Sequence, residues 1–182
     1  TVERVVKLCS DCMRNHKVPP ICHSAKVLEI SGIFQRVGID LQFGFPETKE
    51  GYSGILVISE YFTKFPMAYP IKSKQASEIA ERLFDYISLF GPPKEILSDQ
   101  GTEFNNQIVD GLLRLSGIEH RVTSSYHPRT NGMVERLNGT IAQSIRKHAA
   151  KDQSQWQTWL PFVLLAYRTR IHTSTGFTPF EL

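Results

Sequence analysis

Three carboxylates stand out in this 182-residue sequence: Asp40, Asp99 and Glu135, each in a distinctive local context. By their numbering, thirty-five residues lie between Asp99 and Glu135. Asp40 falls in an alternating stretch. Asp99 lies in Ile96-Leu97-Ser98-Asp99-Gln100-Gly101-Thr102-Glu103-Phe104, and Glu135 follows the polar run Tyr126-His127-Pro128-Arg129-Thr130-Asn131-Gly132. Three converging carboxylates suit a pair of hard cations. Magnesium takes oxygen ligands in octahedral geometry and keeps several waters. Two such ions, roughly 4 Å apart, can activate an entering oxygen and stabilise a leaving oxygen at phosphorus. Without cations the set carries a charge of about −3 and repels itself. Lysine and histidine supply no anionic oxygen and could not replace it. The pattern points to metal-assisted phosphoryl transfer. Elsewhere an Asp or Glu is ordinarily a solvated charge or a cap, and Glu47, Glu50, Glu60, Glu78, Glu81, Asp85 and Asp110 are read that way. Glu103, although near Asp99, is not read as a metal ligand.

Several elements must position these groups. Residues Phe34 to Phe43 alternate, with Val37, Ile39, Leu41 and Phe43 on one face and Arg36, Gly38, Asp40 and Gln42 on the other, so Asp40 lies on a strand opposite its apolar set. Ile55 to Tyr61 and Met67 to Ile71 suit two further strands. From Gln75 to Phe90 the spacing turns helical, with Ala76, Ile79, Ala80, Leu83, Phe84 and Ile87 inward, and Gly91-Pro92-Pro93 stops it. Glu95 to Ser98 is a short strand that delivers Asp99 at its carboxyl end, where α/β sheets bind ligands. A helix over Asn105 to Ser116 turns Ile108, Val109, Leu112 and Leu113 inward and stops at Gly117. Ile118 to Thr123 is a fifth strand. A turn-rich loop over Ser124 to Gly132 leads into a helix over Met133 to Ala150, buried along Val134, Leu137, Ile141 and Ile145, with Glu135 in its first turn. A last helix covers Gln155 to Arg170, with Pro161 marking a boundary or kink.

Composition bounds the rest. The chain is the size of one domain. Its 41% hydrophobic residues can form a core, and its 21% charged residues do not indicate disorder. A net charge of +3 is compatible with nucleic-acid binding but selects nothing by itself. The first residues contain Glu3, Arg4 and Lys7, unlike a signal peptide, and the longest apolar run is well short of the roughly 20 residues a bilayer needs. A soluble intracellular protein without a membrane partner is expected. Cys9, Cys12 and Cys22 are three, too few for a paired disulfide set of all of them.

The triad resembles the D,D-35-E set of retroviral and LTR-retrotransposon integrases, in particular the Ty3/Gypsy-like branch encoded in Pol polyproteins. Gly91-Pro92-Pro93 leading into Ser98 to Phe104 resembles the family's second-aspartate block, and Tyr126 to Asn138 its glutamate block. Leu160-Pro161, Ala166-Tyr167-Arg168-Thr169 and His172 to Leu182 resemble its C-terminal signature. The resemblance covers about Ser31 to Leu182. It implies an α/β, ribonuclease H-like three-layer fold with a five-stranded mixed sheet flanked by helices. It also implies Asp40, Asp99 and Glu135 as catalytic ligands of two Mg2+ (or Mn2+) ions, with processing of element 3′ ends followed by strand transfer into target DNA.

Further roles follow only from the resemblance. Tyr126, Pro128, Asn131 and Gly132 would lie against the element's DNA end in a mobile loop. Asn138 would sit beside the metals and the scissile strand, and Thr102 near target DNA. Arg129, Arg136, Arg146, Lys147 and Lys151 would contact phosphates, an ordinary solvated helix face being the alternative. Cys9 and Cys12 resemble half of the family's His-His-Cys-Cys zinc site, so residues 1–24 read as the remnant of that domain plus a linker, and residues 25–182 as the catalytic core. Zinc needs four ligands, and would bind only with an N-terminal part that this fragment lacks; His16 and His23 are not expected to complete the site. A homo-oligomer and a nuclear location are expected by analogy. Two rivals stay open: a ribonuclease H-like nuclease that hydrolyses without joining, and a decayed or domesticated copy that binds nucleic acid without catalysis.

Overall fold

A computed structural model describes residues 30, 32–123, 128–150 and 152–182. For residues 128–131 only the backbone is described. Cys9, Cys12, Cys22, His16, His23, Tyr126, His127 and Lys151 lie outside the described residues.

The alternation read in the sequence forms strand β1 (Arg36–Phe43), followed by β2 (Gly54–Glu60) and β3 (Pro66–Ile71). Helix α1 (Ala76–Phe90), strand β4 (Glu95–Ser98), helix α2 (Gln107–Leu115) and strand β5 (Glu119–Val122) come next. The chain then forms α3 (Pro128–His148), a 3-10 segment (Gln153–Trp159) and α4 (Leu160–Arg168). The sheet order is β3-β2-β1-β4-β5. β1, β2 and β3 are antiparallel neighbours, whereas β4 and β5 run parallel to β1. Five mixed strands between two helical layers form the expected three-layer fold.

Each face of the sheet is sealed by its own core. Val37, Ile39, Leu56, Ile58 and Ile96 pack with Ile79 and Leu83 of α1 and Val109 and Leu113 of α2. On the other face Ile55, Val57, Ala68 and Leu97 pack with Val134, Leu137, Ile141 and Ile145 of α3 and Trp156, Leu160 and Val163 beyond it. Burying each large apolar side chain contributes about 1.5–3 kcal/mol. The face of β1 that carries Asp40 is therefore a helix-covered face rather than a solvent face.

Local signals explain most boundaries. Gly91 and Gly117 follow α1 and α2 with φ of 84° and 70°, a conformation that costs a residue with Cβ. Asn106 caps α2 by accepting from Ile108 and Val109 N–H groups. Pro161 stands at the start of α4, where its missing N–H costs nothing.

Four expectations require correction. Residues 128–132 belong to α3 rather than to a loop, so Glu135 sits two turns inside the helix and not in its first turn. Pro128 starts the helix because its fixed φ suits that position, and Gly132 has no positive φ here. Phe84 is exposed and Tyr86 buried on α1, the reverse of the expected stripe. Ile108 is likewise exposed on α2. Glu60 is buried, not a solvated charge; its carboxylate accepts from Phe62 N, Thr63 N and Thr63 Oγ1, which closes the β2–β3 turn.

Candidate active site

The parallel register of β1 and β4 places the two aspartates. Gly38 pairs with Leu97, so Asp40, two residues on in β1, stands level with Asp99, the first residue past the end of β4. With a side-chain period of two, Asp40 projects to the same side of the sheet as Gly38, where its carboxylate meets Asn138 of α3. Gly38 makes the approach of α3 possible. A Cβ on Gly38 would lie 2.5 Å from Val134 Cγ2 and 2.6 Å from Tyr61 Cε2. Val134 directly precedes Glu135, so the bare backbone at Gly38 lets the third carboxylate come down toward the first.

Asp40 is half-buried at the centre of this arrangement. Its Oδ1 accepts from Leu41 N at 2.8 Å, and its Oδ2 accepts from Asn138 Nδ2 at 2.7 Å across the sheet–helix interface. Its pKa rises from 3.8 to about 6. Burial is the largest cause; the Leu41 N–H opposes it, the charges of Asp99 and Glu135 raise it further, and the Asn138 amide lowers it. Asp40 thus feels the charges of both Asp99 and Glu135. Asp99 is exposed, and its Oδ1 accepts from Gly101 N at 2.9 Å, which ties it to the turn after β4. Glu135 is exposed on α3 and acts also on Tyr61, a buried phenol pushed up to about 12, chiefly by burial. Among the described residues no group of three His, Cys, Asp or Glu side chains is gathered at one metal-ligating point.

The donor set nevertheless suits a hard divalent cation. Burial is the main reason Asp40 holds its proton; the Asp99 and Glu135 charges that add to the shift would also draw a cation, and every group in the trio offers carboxylate oxygen. Asn138 is buried, and its Oδ1 has no hydrogen-bond partner among the described residues. That leaves one neutral oxygen beside the acidic cluster.

Other expected positions are scattered around this centre. Thr102 is exposed in the loop after Asp99, and its carbonyl accepts from Asn106 Nδ2 at 3.1 Å. Pro128, Arg129, Asn131 and Gly132 form the first turns of α3. Arg136 is exposed and donates from Nε to Gly132 O at 2.9 Å; Arg146 and Lys147 are exposed in the last turn. Glu103 pairs with Lys74 at 3.6 Å. Sequence reasoning passed over Gly38 and Tyr61. The signal was available for Gly38: a glycine two residues before Asp40, inside a strand, marks a close approach. Nothing local marks Tyr61.

The Integrase core domain family matches residues 34–128, a little over half of the chain. The chain belongs to this family. The matched span contains Asp40 and Asp99 and ends before Glu135. The integrase core described here is 29% identical, over 150 residues, to the retrovirus-related Pol polyprotein from transposon 412 of Drosophila melanogaster, covering 82% of this chain and 12% of that polyprotein. It is 28% identical, over its whole length, to the transposon Tf2-3 polyprotein of Schizosaccharomyces pombe, of which it covers 14%. The chain therefore spans only a small part of these relatives. In structure, it resembles a chain of the simian T-cell lymphotropic virus intasome in complex with PP2A regulatory subunit B56 gamma, with a TM-score of 0.76, 20% identity, and coverage of 99% of this chain and 64% of that one. The HTLV-2 integrase catalytic core domain in complex with magnesium matches with a TM-score of 0.66 at 19% identity, covering 81% of this chain and 94% of that one. These likenesses establish the ribonuclease H-like fold.

Proposed function

We propose that this integrase core serves DNA integration: metal-dependent transfer of polynucleotide ends, first trimming the 3′ ends of a retroelement and then joining them to target DNA. The observation that carries the reading is the Integrase core domain match over a span that holds Asp40 and Asp99, with Asp40 half-buried and one of its oxygens fixed by Asn138. Asp40, Asp99 and Glu135 would hold two Mg2+ or Mn2+ ions, which when bound supply Lewis-acid stabilisation of the entering and leaving oxygens. The chain's own residues orient the ligands. The Leu41 N–H and the Asn138 amide aim Asp40, and the Gly101 N–H aims Asp99. Both steps displace an oxygen at phosphorus, so one site can serve them in turn.

DNA would lie across the exposed rim. Thr102 faces outward beside Asp99, and the start of α3, with Pro128, Arg129, Asn131 and Gly132, adjoins Glu135 in sequence. Arg146 and Lys147 would contact phosphates, without sequence preference. Magnesium in the HTLV-2 core, and the dimeric and trimeric forms in which that core was solved, support a divalent ion and a homo-oligomer here. A nuclear location follows from the function. No helix among the described residues is long and apolar enough to cross a membrane. The zinc half-site at Cys9 and Cys12 belongs to the same reading, as does the division into residues 1–24 and 25–182.

The test is strand transfer on short duplex DNA, with the full polyprotein-derived integrase, in magnesium or manganese. Joined products that disappear in Glu135→Gln, a change that keeps shape and removes one charge, support the reading. Cleavage without joining would assign a nuclease. No reaction from a folded, DNA-binding protein would assign a decayed copy.

A further inference from the structure

A hydrogen-bond chain outside the carboxylate cluster ends on its second aspartate. Ser98, the last residue of β4, is fully buried. Its Oγ donates to the Asp99 carbonyl oxygen at 2.9 Å and lies 2.9 Å from His120 Nε2 on β5. His120 Nδ1 in turn lies 3.1 Å from Asp110 Oδ1, in the first turn of α2. The imidazole is largely enclosed, with 11% of its side chain exposed, whereas Asp110 is half-exposed.

The order Ser–His–Asp is that of a hydrolase triad, but the location excludes that use. A fully buried Oγ reaches no substrate, and its single proton is already given to a carbonyl. With that proton committed, Oγ accepts from His120 Nε2–H, and the 3.1 Å approach of Nδ1 to Asp110 Oδ1 is a second hydrogen bond when the ring carries both N–H protons. The chain therefore ends on a backbone group, and that group belongs to Asp99. The carbonyl of Asp99 begins the turn from which the Gly101 N–H reaches back to Asp99 Oδ1 at 2.9 Å. Fixing the carbonyl fixes the ψ angle of Asp99, hence the turn, hence the carboxylate that the turn grips. The far end of the same loop is pinned separately, by Asn106 Nδ2 donating to Thr102 O at 3.1 Å and Glu103 O at 2.8 Å.

We propose that Ser98, His120 and Asp110 form a positioning chain that sets the Asp99 carboxylate for metal binding, coupling β5 and α2 to the site. The inference rests on the reading of Asp99 as a metal ligand. Groups that orient metal ligands from behind typically change affinity by about 10- to 100-fold when removed.

The test uses Ser98→Ala, His120→Leu and His120→Gln in the whole chain, since a glutamine amide nitrogen can occupy the place of Nε2 and still donate to Ser98. Two readouts are taken: the Gly101 amide resonance in metal-free protein, by 1H–15N NMR, and manganous ion affinity, by electron paramagnetic resonance titration. The expected result is a displaced Gly101 resonance and about tenfold weaker Mn2+ binding in Ser98→Ala and His120→Leu, with both restored toward wild type in His120→Gln. An unmoved Gly101 resonance in folded Ser98→Ala and His120→Leu overturns the proposal. So does a His120→Gln protein as impaired as His120→Leu, because ring packing and not the hydrogen bond would then be responsible. A Gly101 resonance that behaves as expected in a wild type that binds no Mn2+ upholds the positioning chain and refutes the metal reading instead.

Discussion

Neutralising Asp40 should stabilise the metal-free protein, and only above a defined pH. The carboxyl has a pKa of about 6 in the fold against an ordinary 3.8. Between these values the native state holds more of this proton than the unfolded state does, so the contribution to stability falls as pH rises through that window. Below about 3.8 both states are protonated and there is no cost; above about 6 the full cost is present. A shift of about two units corresponds to about 3 kcal/mol at most, and because Asp40 is only half-buried, solvent screening reduces this to about 1–2 kcal/mol. Asp40→Asn should therefore be more stable than wild type by about that amount at pH 8 in EDTA, or about 2–8 °C in melting temperature for a chain of this size. The advantage should vanish near pH 4. Saturating magnesium should reverse the order, because a ligand at a hundred times its dissociation constant adds about 2.7 kcal/mol to the state that binds it. Urea denaturation of both proteins at the two pH values, with EDTA or magnesium, measures all of this. An Asp40→Asn advantage that is absent at pH 8, or that persists unchanged at pH 4, would refute the argument that like charges and burial compress this carboxylate.

Gly38→Ala should cost about 1–3 kcal/mol by overpacking, since its Cβ would lie 2.5 Å from Val134 Cγ2; urea unfolding reads the loss, and strand transfer should fall because α3 can no longer seat Asn138 on Asp40. Glu95→Gln should be more damaging to stability, by about 3 kcal/mol or more, because the buried Glu95 carboxylate pairs with both Arg36 and Arg121; an unchanged unfolding midpoint would show that the pair is dispensable. Arg146→Ala and Lys147→Ala should each lower the slope of log affinity against log salt by about one for duplex DNA, in fluorescence anisotropy, with no change in sequence preference.

Much of the fold was legible because its signals are local. The alternation from Val37 to Phe43 assigned Asp40 to the face opposite the apolar set, and the register confirms that orientation. Glycine and proline at 91–93 and at 117 mark real stops. The failures have a common origin, which is that helical spacing sets which residues share a side of a helix but not how far round the buried arc extends. Leu83 and Tyr86 lie in the α1 core while Phe84 lies outside it, and the sheet and α2 packed against α1 decide this. Pro128 suits a loop and a first helical turn equally, so the sequence leaves the start of α3 open over several residues.

The candidate site was legible to a different depth. Residue types and spacing single out the three carboxylates, but the features that make them one electrostatic unit lie across the fold. Asn138 meets Asp40 over a sequence separation of 98 residues, and no local pattern predicts that bond. Gly38 is informative only once α3 is known to cross there. A carboxylate in an ordinary surface site gains nothing from such neighbours. Here the glycine admits the helix, the helix brings Glu135 and an amide to a half-buried aspartate, and the aspartate is left with a proton affinity well above its ordinary range. Selection for stability alone would disfavour that carboxylate, since a neutral isostere keeps the Leu41 hydrogen bond and, with the Asn138 amide turned over, donates to its Oδ1, without the cost of a buried charge beside two others. Its cost is a physical reason to propose cation binding for the cluster rather than a scaffold role, and the reversal of the Asp40→Asn effect by magnesium is where that proposal meets measurement.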